Sequence, residues 1–162
     1  FLGKPENLDV TSGASSSAAY SACIPRTLEF FGYTNGGNLI SYNADIIIGE
    51  LGNGYPVLIS GKRLDENIEL KGHCWLAHGL MKRTTIFKRY YRPLGWITFG
   101  DPIETYYILC NWGWNGNANG YYLCNSFNLS NGAIYPDPIH PNDKSINRYY
   151  QYEMEAIINI RK

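Results

Sequence analysis

The sequence has no net charge and no long apolar run. Only 17% of its 162 residues are charged, and 14 Lys and Arg balance 14 Asp and Glu. A neutral chain has no overall attraction for nucleic acid or for an anionic membrane, so we expect neither as a partner. No stretch approaches the ~18 apolar residues of a membrane-spanning helix. The first residues, Phe1-Leu2-Gly3-Lys4, lack the basic and then apolar pattern of a signal peptide, and we expect a processed or cloned end there.

Cysteine is also scarce. The chain has four cysteines, too few and too scattered for a disulfide scaffold, and none forms the CxxC pair of a zinc site. The turn Asn115-Gly116-Asn117-Ala118-Asn119-Gly120 has no acidic ligand for calcium. We therefore predict no metal. Cys74, Cys110 and Cys124 lie in apolar, strand-like surroundings and are predicted to be small buried hydrophobes.

Aromatic and turn-forming residues are plentiful instead. Aromatics make up 15% of the chain with 14 Tyr, and there are 17 Gly and 8 Pro. Aromatic side chains pack well on a pleated surface, and Gly and Pro mark tight turns. The composition predicts a twisted sheet, and the length fits a single domain or one lobe of a two-lobed protein.

Helices are predicted first and strands afterwards. A helix follows the candidate N-caps Ser15 to Ser17 and ends near Gly32, and Pro25 interrupts it, giving either one kinked helix or two short ones. A second helical stretch runs from Tyr42 to Leu51. Predicted strands cover 56–60, 73–80, 106–111, 120–125 and 155–160. Residues 83–92 and 96–99 are predicted to form a hairpin through Pro93-Leu94-Gly95, and residues 130–147 a surface loop. This order predicts an α+β fold with an antiparallel sheet.

Two short segments carry side chains that could do chemistry. His73 follows Gly72 at the start of a strand, and Asn111 ends a strand just before Trp112-Gly113-Trp114. Each also has a structural interpretation: a strand-edge histidine bonded to a backbone carbonyl, a turn asparagine and core tryptophans. His78 should face the opposite side of the strand from His73, because side chains alternate. We assign no role to His140 in the proline-rich loop.

The segments GHCWLAHG and YYILCNWGWNGNANGYYLCNSF resemble the histidine and asparagine–tryptophan motifs of the streptopain family of papain-like cysteine peptidases. LDVTSGASSSAAYSACIPRTLEFFGY, GELGNGYPVLISG and AIINIRK also resemble consecutive parts of that family. The sequence departs from the family pattern at Asn115, at His78 and in an insertion around 82–104. That insertion contains Arg83, Lys88, Arg89, Tyr90, Tyr91 and Arg92. It is interpreted either as a contact with substrate or a partner, or as a solvated hairpin.

The resemblance implies a fold and roles. The fold would be the mainly antiparallel lobe of a papain-like peptidase with two helices near the N-terminus. His73 would be the general base, Asn111 would orient its ring, and Trp112 and Trp114 would shield that hydrogen bond. Residues predicted to bind substrate are Ser12, Gly13, Ala14, Ser15, Gly72 and Trp114. The substrate would be a polypeptide, no cofactor is implied, and the setting would be a secreted or surface-associated bacterial protein.

The nucleophile is the part of this pattern without a match. The family's cysteine lies at the start of a helix far upstream of the histidine, and the residues preceding His73 resemble the family's segment on the C-terminal side of that helix. Cys23 is an internal candidate, but it falls on the family's second helix and is not favoured. We therefore expect a separate cysteine-bearing N-terminal chain or segment as partner. The alternatives are a non-catalytic relative that binds peptides or a partner, and a carbohydrate- or surface-binding β domain.

Overall fold

The computed structural model describes residues 11–12, 17–18, 20–130, 132–136 and 148–162. Its helices are a 3₁₀ turn at Ser21–Cys23, α1 at Ile24–Phe30 and α2 at Ala44–Gly52. The strands are β1 Thr11–Ser12, β2 Ser17–Ala18, β3 Asn38–Ser41, β4 Val57–Leu64, β5 Leu70–Tyr91, β6 Gly95–Asn111, β7 Gly120–Leu123, β8 Phe127–Asn128, β9 Tyr135–Pro136, β10 Tyr149–Tyr150 and β11 Tyr152–Ile158.

A seven-stranded sheet forms the body of the molecule, in the order β3-β11-β4-β5-β6-β7-β9. Every pairing within it is antiparallel. Two further pairs, β1 with β2 and β8 with β10, are also antiparallel. The predicted α+β class with an antiparallel sheet and two early helices is therefore confirmed.

The two helices begin in different ways. Asn43 caps α2, because its Oδ1 accepts hydrogen bonds from the N–H groups of Asp45 and Ile46. Pro25 lies in the first turn of α1, where its missing N–H costs nothing. Of the two predicted alternatives at Pro25, two short helical segments form: the 3₁₀ turn at Ser21–Cys23 and α1, which has Pro25 in its first turn. Gly32 follows the helix end with φ +87°, as expected of a glycine in that position.

The core lies between α2 and one face of the sheet and is rich in aromatic side chains. Ile47 of α2 and Ile59 of β4 are fully buried, and Trp75 of β5 and Trp112 after β6 are almost or completely excluded from solvent. Burial of each such side chain contributes about 1.5–3 kcal/mol relative to exposure. The aromatic residues thus supply much of the apolar packing beside His73.

Gly120 is a position that only glycine can fill. Its φ is +148°, and a Cβ there would lie 2.5 Å from both the Ala133 Cβ and the Tyr135 carbonyl oxygen. The missing side chain lets β9 pair closely with β7. This contact fixes the end of the loop that follows Trp112.

Several strand boundaries differ from the predicted ones. β5 and β6 are far longer than expected, because the predicted hairpin at 83–99 is an extension of both strands. β3 was not predicted, and its polar ends explain why its sequence gave little signal. Cys74 is exposed rather than buried, and Cys124 is only partly buried, whereas Cys110 is buried as predicted. His140 and most of the predicted surface loop lie outside the described residues.

Within the described part of the chain, no helix is both long and apolar enough to cross a membrane.

Candidate active site

The imidazole of His73 is held by one backbone carbonyl. His73 lies near the start of β5 opposite Gly61 of β4, and its Nε2 is 2.9 Å from the carbonyl oxygen of Trp112. A carbonyl can only accept, so the hydrogen of this bond belongs to Nε2. In the neutral ring, Nδ1 then carries the lone pair. No described residue hydrogen-bonds to Nδ1, which leaves it available as a base.

Stacked rings fix the orientation of the imidazole. The His73 ring is 4.5 Å from that of Trp114 at an interplanar angle of 25°. Trp114 stacks in turn on Trp112 at 5.6 Å, and Trp112 on Trp75 at 4.5 Å. Because Trp112 is fully buried, the Nε2 hydrogen bond has a rigid, water-poor surrounding on that side.

The surroundings lower the pKa of His73 below its ordinary value. Burial is the main cause, because desolvation disfavours the imidazolium, and the positive charge of Arg148 acts in the same direction. The guanidinium of Arg148 lies 4.7 Å from the centre of the Trp114 ring. The Trp112 carbonyl opposes both effects by stabilising the charged ring. His73 is therefore neutral at pH 7, the state that a general base needs.

The predicted hydrogen bond between Asn111 and His73 is not the one that forms. Asn111 is exposed, and its Oδ1 accepts a 3.0 Å hydrogen bond from the Gly113 N–H. Asn111 is opposite Leu76 in the β5–β6 register, so its side chain points to the sheet face away from His73. The acceptor is the carbonyl of the next residue, Trp112.

Sequence reasoning missed Asn119, which binds the backbone of the same residue, Trp112. Asn119 is one of the few buried polar residues, 3% exposed, and its Oδ1 accepts a 3.0 Å hydrogen bond from the Trp112 N–H. The same peptide segment thus bonds to Asn119 on one side and to His73 on the other. No signal in the sequence distinguishes Asn119, because the run from Asn115 to Gly120 has the composition of an ordinary turn.

A groove of about 730 Å³ lies beside His73. One wall is the segment around the 3₁₀ turn, which the Ser21 hydroxyl ties to Ser60 of β4 through a 3.0 Å hydrogen bond. The residues that line the groove are Tyr20, Ser21, Ala22, Ile24, Leu39, Ser60, Gly61, Lys62, Gly72, His73, Cys74, Glu153 and Glu155.

Some of the predicted substrate-binding residues can be placed relative to this groove. Gly72 lines it, and a Cβ added there would come no closer than 4.0 Å to Lys62 Cγ, so the backbone is open to a ligand. Trp114 is not part of the lining but stacks on His73. Ser12 lies in β1, opposite Ser17. Gly13, Ala14 and Ser15 are outside the described residues.

None of the four cysteines, all of which are described, hydrogen-bonds to the imidazole. Cys23 caps α1 and is absent from the groove lining. Cys74 lines the groove but, as the neighbour of His73 in β5, projects from the other face of the strand. The described residues also contain no cluster of three or more His, Cys, Asp or Glu that could hold a metal ion.

Comparison with solved structures supports a papain-like fold. The structure of active wild-type interpain A cysteine protease from Prevotella intermedia aligns with a TM-score of 0.56 at 19% sequence identity. The alignment covers 96% of this chain and 51% of that one, so the chain spans about half the length of the protein that it matches. No curated protein sequence gives a match.

The sequence model of the peptidase C10 family matches residues 6–122. This range is well over half of the chain, and it includes His73 and the segment from Asn111 to Trp114. It agrees with the resemblance to streptopain. The chain therefore belongs to the peptidase C10 family.

Proposed function

We propose that this chain supplies the histidine base and the base-orienting loop of a cysteine endopeptidase. The observation that carries the proposal is the hydrogen bond from His73 Nε2 to the Trp112 carbonyl. This bond leaves Nδ1 unprotonated in the neutral imidazole. Burial lowers the pKa of His73 and so favours that neutral form, and the ring lies beside an open groove. Membership of a peptidase family adds support.

In this proposal, Nδ1 takes the proton from a cysteine thiol, and the thiolate attacks the carbonyl carbon of a peptide bond. The imidazolium then donates that proton from Nδ1 to the departing amine. Nδ1 next accepts a proton from water, which attacks the thioester and releases the acid, and the thiol recovers its proton. Throughout, the Trp112 carbonyl accepts from Nε2–H and stabilises the positive ring.

Asn111 keeps a proposed role, but an indirect one. Its carboxamide binds the Gly113 N–H and so shapes the turn that presents the Trp112 carbonyl. Gly113 has φ +76°, a conformation that glycine adopts without strain. Trp112 and Trp114 are proposed to exclude water from the His73–Trp112 hydrogen bond.

The thiol is proposed to come from a cysteine-bearing segment outside these 162 residues. Cys23 is absent from the groove lining, and Cys74 projects away from His73. The matched interpain A chain is about twice as long. The groove beside His73 provides a surface on which such a segment could pack, and the polypeptide substrate would bind between the two parts.

The test uses the natural protein, with any tightly held second polypeptide, and a thiol-reactive peptide inhibitor. We expect His73→Ala to lower kcat/KM by about 10²–10⁴-fold, the usual contribution of a general base. His78→Ala is the matched control, because His78 is an exposed histidine on the same strand. Peptide mapping should place the label on a cysteine outside this chain. A label on Cys23, or full turnover by His73→Ala, would contradict the assignment.

A non-catalytic peptide-binding relative is the second candidate, favoured by the lack of a thiol at His73 among the described residues. In the same assay it would bind substrate peptides without cleaving them, and would show no inhibitor-reactive cysteine. The third candidate is a carbohydrate- or surface-binding domain, which a separation of the His73 and Asn111 side chains would favour. The two side chains are indeed apart. However, the Trp112 carbonyl takes the place of the Asn111 carboxamide as the acceptor, and His73 therefore keeps its support as a base.

A further inference from the structure

A two-stranded ribbon extends from the sheet at the end opposite His73. β4 pairs with β5 only up to Ala77, and β7 pairs with β6 only from Tyr107 onward. Beyond those points, among the described residues, β5 and β6 pair only with each other, out to Tyr91 opposite Gly95. At about 3.3 Å per residue, the ribbon reaches roughly 30 Å. A two-stranded ribbon alone is marginally stable in water because nothing covers its faces.

The outer half of the ribbon is set apart by an irregular step. Between the pairs Thr85–Ile103 and Phe87–Phe99, β5 has one unpaired residue and β6 has three. Gly100 in that step has φ +66°. We refer to residues 86–100 as the ribbon tip.

Both faces of the ribbon tip carry exposed aromatic residues. Residues opposite each other in an antiparallel pair share a face, so one face holds Phe87, Phe99 and Tyr91, with Tyr91 and Phe99 ring centroids 6.1 Å apart. The other face holds Tyr90 and Trp96, 5.6 Å apart. Trp96 is 71% exposed and all of these rings reach solvent.

The turn at the end of the ribbon continues this apolar surface. Leu94 is 76% exposed. An exposed apolar surface of this extent in a small protein marks a site of interaction.

The charge of the ribbon tip is of one sign. It contains Lys88, Arg89 and Arg92 and no Asp or Glu, although the whole chain has no net charge. Two acidic residues lie below the tip: Asp101, in the irregular step next to Gly100, and Glu104, which is bonded to Lys82 at the base. A balanced total therefore conceals a local excess of three positive charges at an apolar end.

We propose that the ribbon tip inserts into the interface of an anionic lipid membrane. A rigid partner with a flat surface would cover one face and leave the other in water, whereas a lipid interface surrounds both faces and the turn. Trp and Tyr favour the headgroup region, and basic side chains beside them are attracted to anionic lipids. This replaces the expectation from net charge alone that no membrane is contacted, because membrane attraction depends on local charge.

This surface is independent of the proposed peptidase function. Roughly 50 Å of strand separates the ribbon tip from His73 along β5. A membrane-bound tip would leave the groove beside His73 accessible in water. Changes at the tip can therefore be tested without altering the candidate active site.

The experiment mixes the 162-residue chain with vesicles of phosphatidylcholine alone or of phosphatidylcholine and phosphatidylglycerol, and follows sedimentation and tryptophan emission. We expect binding to the anionic vesicles, weakening as salt is raised, and a blue shift in emission. Trp96 is the highly exposed tryptophan, since Trp75 and Trp112 are buried and Trp114 is half-buried. Trp96→Phe should abolish the shift while largely retaining binding.

Two variants and one control test the source of the affinity. Leu94→Ser with Trp96→Ser should weaken binding about tenfold or more, because both apolar contacts are lost. A variant that combines Lys88→Glu, Arg89→Glu and Arg92→Glu reverses the charge of the tip and should abolish the preference for phosphatidylglycerol. Ile68→Ser is the matched control: Ile68 is 79% exposed but lies before β5, at the end of the strand opposite the ribbon tip. Near-ultraviolet circular dichroism checks that each variant is folded.

Three results would overturn the proposal. The first is that the protein sediments equally with both kinds of vesicle, or does not sediment with either kind. The second is binding that the Leu94 and Trp96 substitutions leave unchanged in a folded protein. The third is salt-sensitive binding to heparin or RNA with no emission shift on vesicles, which would assign the basic residues to a soluble polyanion.

Discussion

The two ends of β5 carry aromatic clusters of similar composition with opposite surroundings. At one end His73 and Trp75 lie beside Trp112, within a seven-stranded sheet, and Trp112 has no exposed surface. At the other end Tyr90 and Trp96 pack on each other in a two-stranded ribbon, and Trp96 is 71% exposed. The residue types are alike, so the solvent exposure of each cluster depends on how many strands and loops cover it. A covered cluster can orient a catalytic group, and an uncovered one is available for binding.

The largest difference in stability is expected between the loss of the buried Trp112 and the loss of the exposed Trp96. Trp112→Ala should lower the free energy of unfolding by about 3–5 kcal/mol, since it leaves a cavity in the core. Trp96→Ala should change it by less than about 0.5 kcal/mol, as for most surface substitutions. Urea denaturation measures both, and Trp112→Phe serves if the alanine variant does not fold. Equal losses at the two sites would mean that the ribbon tip is packed against other parts of the chain.

A smaller loss is expected at Asn119. Asn119→Ala removes the acceptor of the buried Trp112 N–H, which should cost about 1–3 kcal/mol. The Trp112 carbonyl would lose its fixed position, so the NMR titration of His73 should also change. Asn125→Ala, at an exposed position in a later turn, is the control and should change neither quantity. A His73 titration that stays the same in Asn119→Ala would show that Asn119 is structural only.

The pH dependence of stability should report the buried end. The pKa of His73 is lowered in the folded state, so in the interval from that value up to about 6.5 the unfolded chain binds more protons. Stability should therefore be highest above this interval and fall as the pH drops through it. His73→Gln, which cannot be protonated, should flatten the profile. Denaturation midpoints at several pH values provide the measurement.

The smallest effect is expected at the base of the ribbon. Lys82 and Glu104 form an ion pair at 2.5 Å, but both side chains are more than 40% exposed. Exposed pairs contribute little and are screened by salt. Lys82→Gln should leave the thermal midpoint unchanged at moderate ionic strength. A clear decrease would indicate that the ribbon is more rigidly attached to the sheet than its exposure implies.

Local sequence signals predicted the elements that depend on local chemistry. The predicted hairpin turn forms at Arg92-Pro93-Leu94, one residue earlier than expected, because Gly95 already pairs with Tyr91. α2 starts two residues later than predicted, since Asn43 is the residue whose side chain caps it. β3 was missed because its pairing with β11 comes from distant residues rather than from its own pattern.

The candidate site was predicted only in part. The resemblance to the streptopain family identified His73, Trp112 and Trp114 as site residues, and these side chains do lie together. The identity of the hydrogen-bond acceptor could not be predicted, because it depends on which face of β6 Asn111 occupies when paired with β5. Asn119 was missed for a related reason, since a turn asparagine and a buried anchor have the same local sequence.

The sequence by itself determined the fold class, because hydrophobic pattern and turn residues are local properties. Its resemblance to a known family also indicated the family and placed Trp112 and Trp114 beside His73. The tertiary structure decided that a Trp112 carbonyl, and not the Asn111 carboxamide, holds the imidazole. It also decided which aromatic cluster is buried and which is exposed. The physical reason is that strand register and the number of covering layers arise from contacts between residues far apart in the chain.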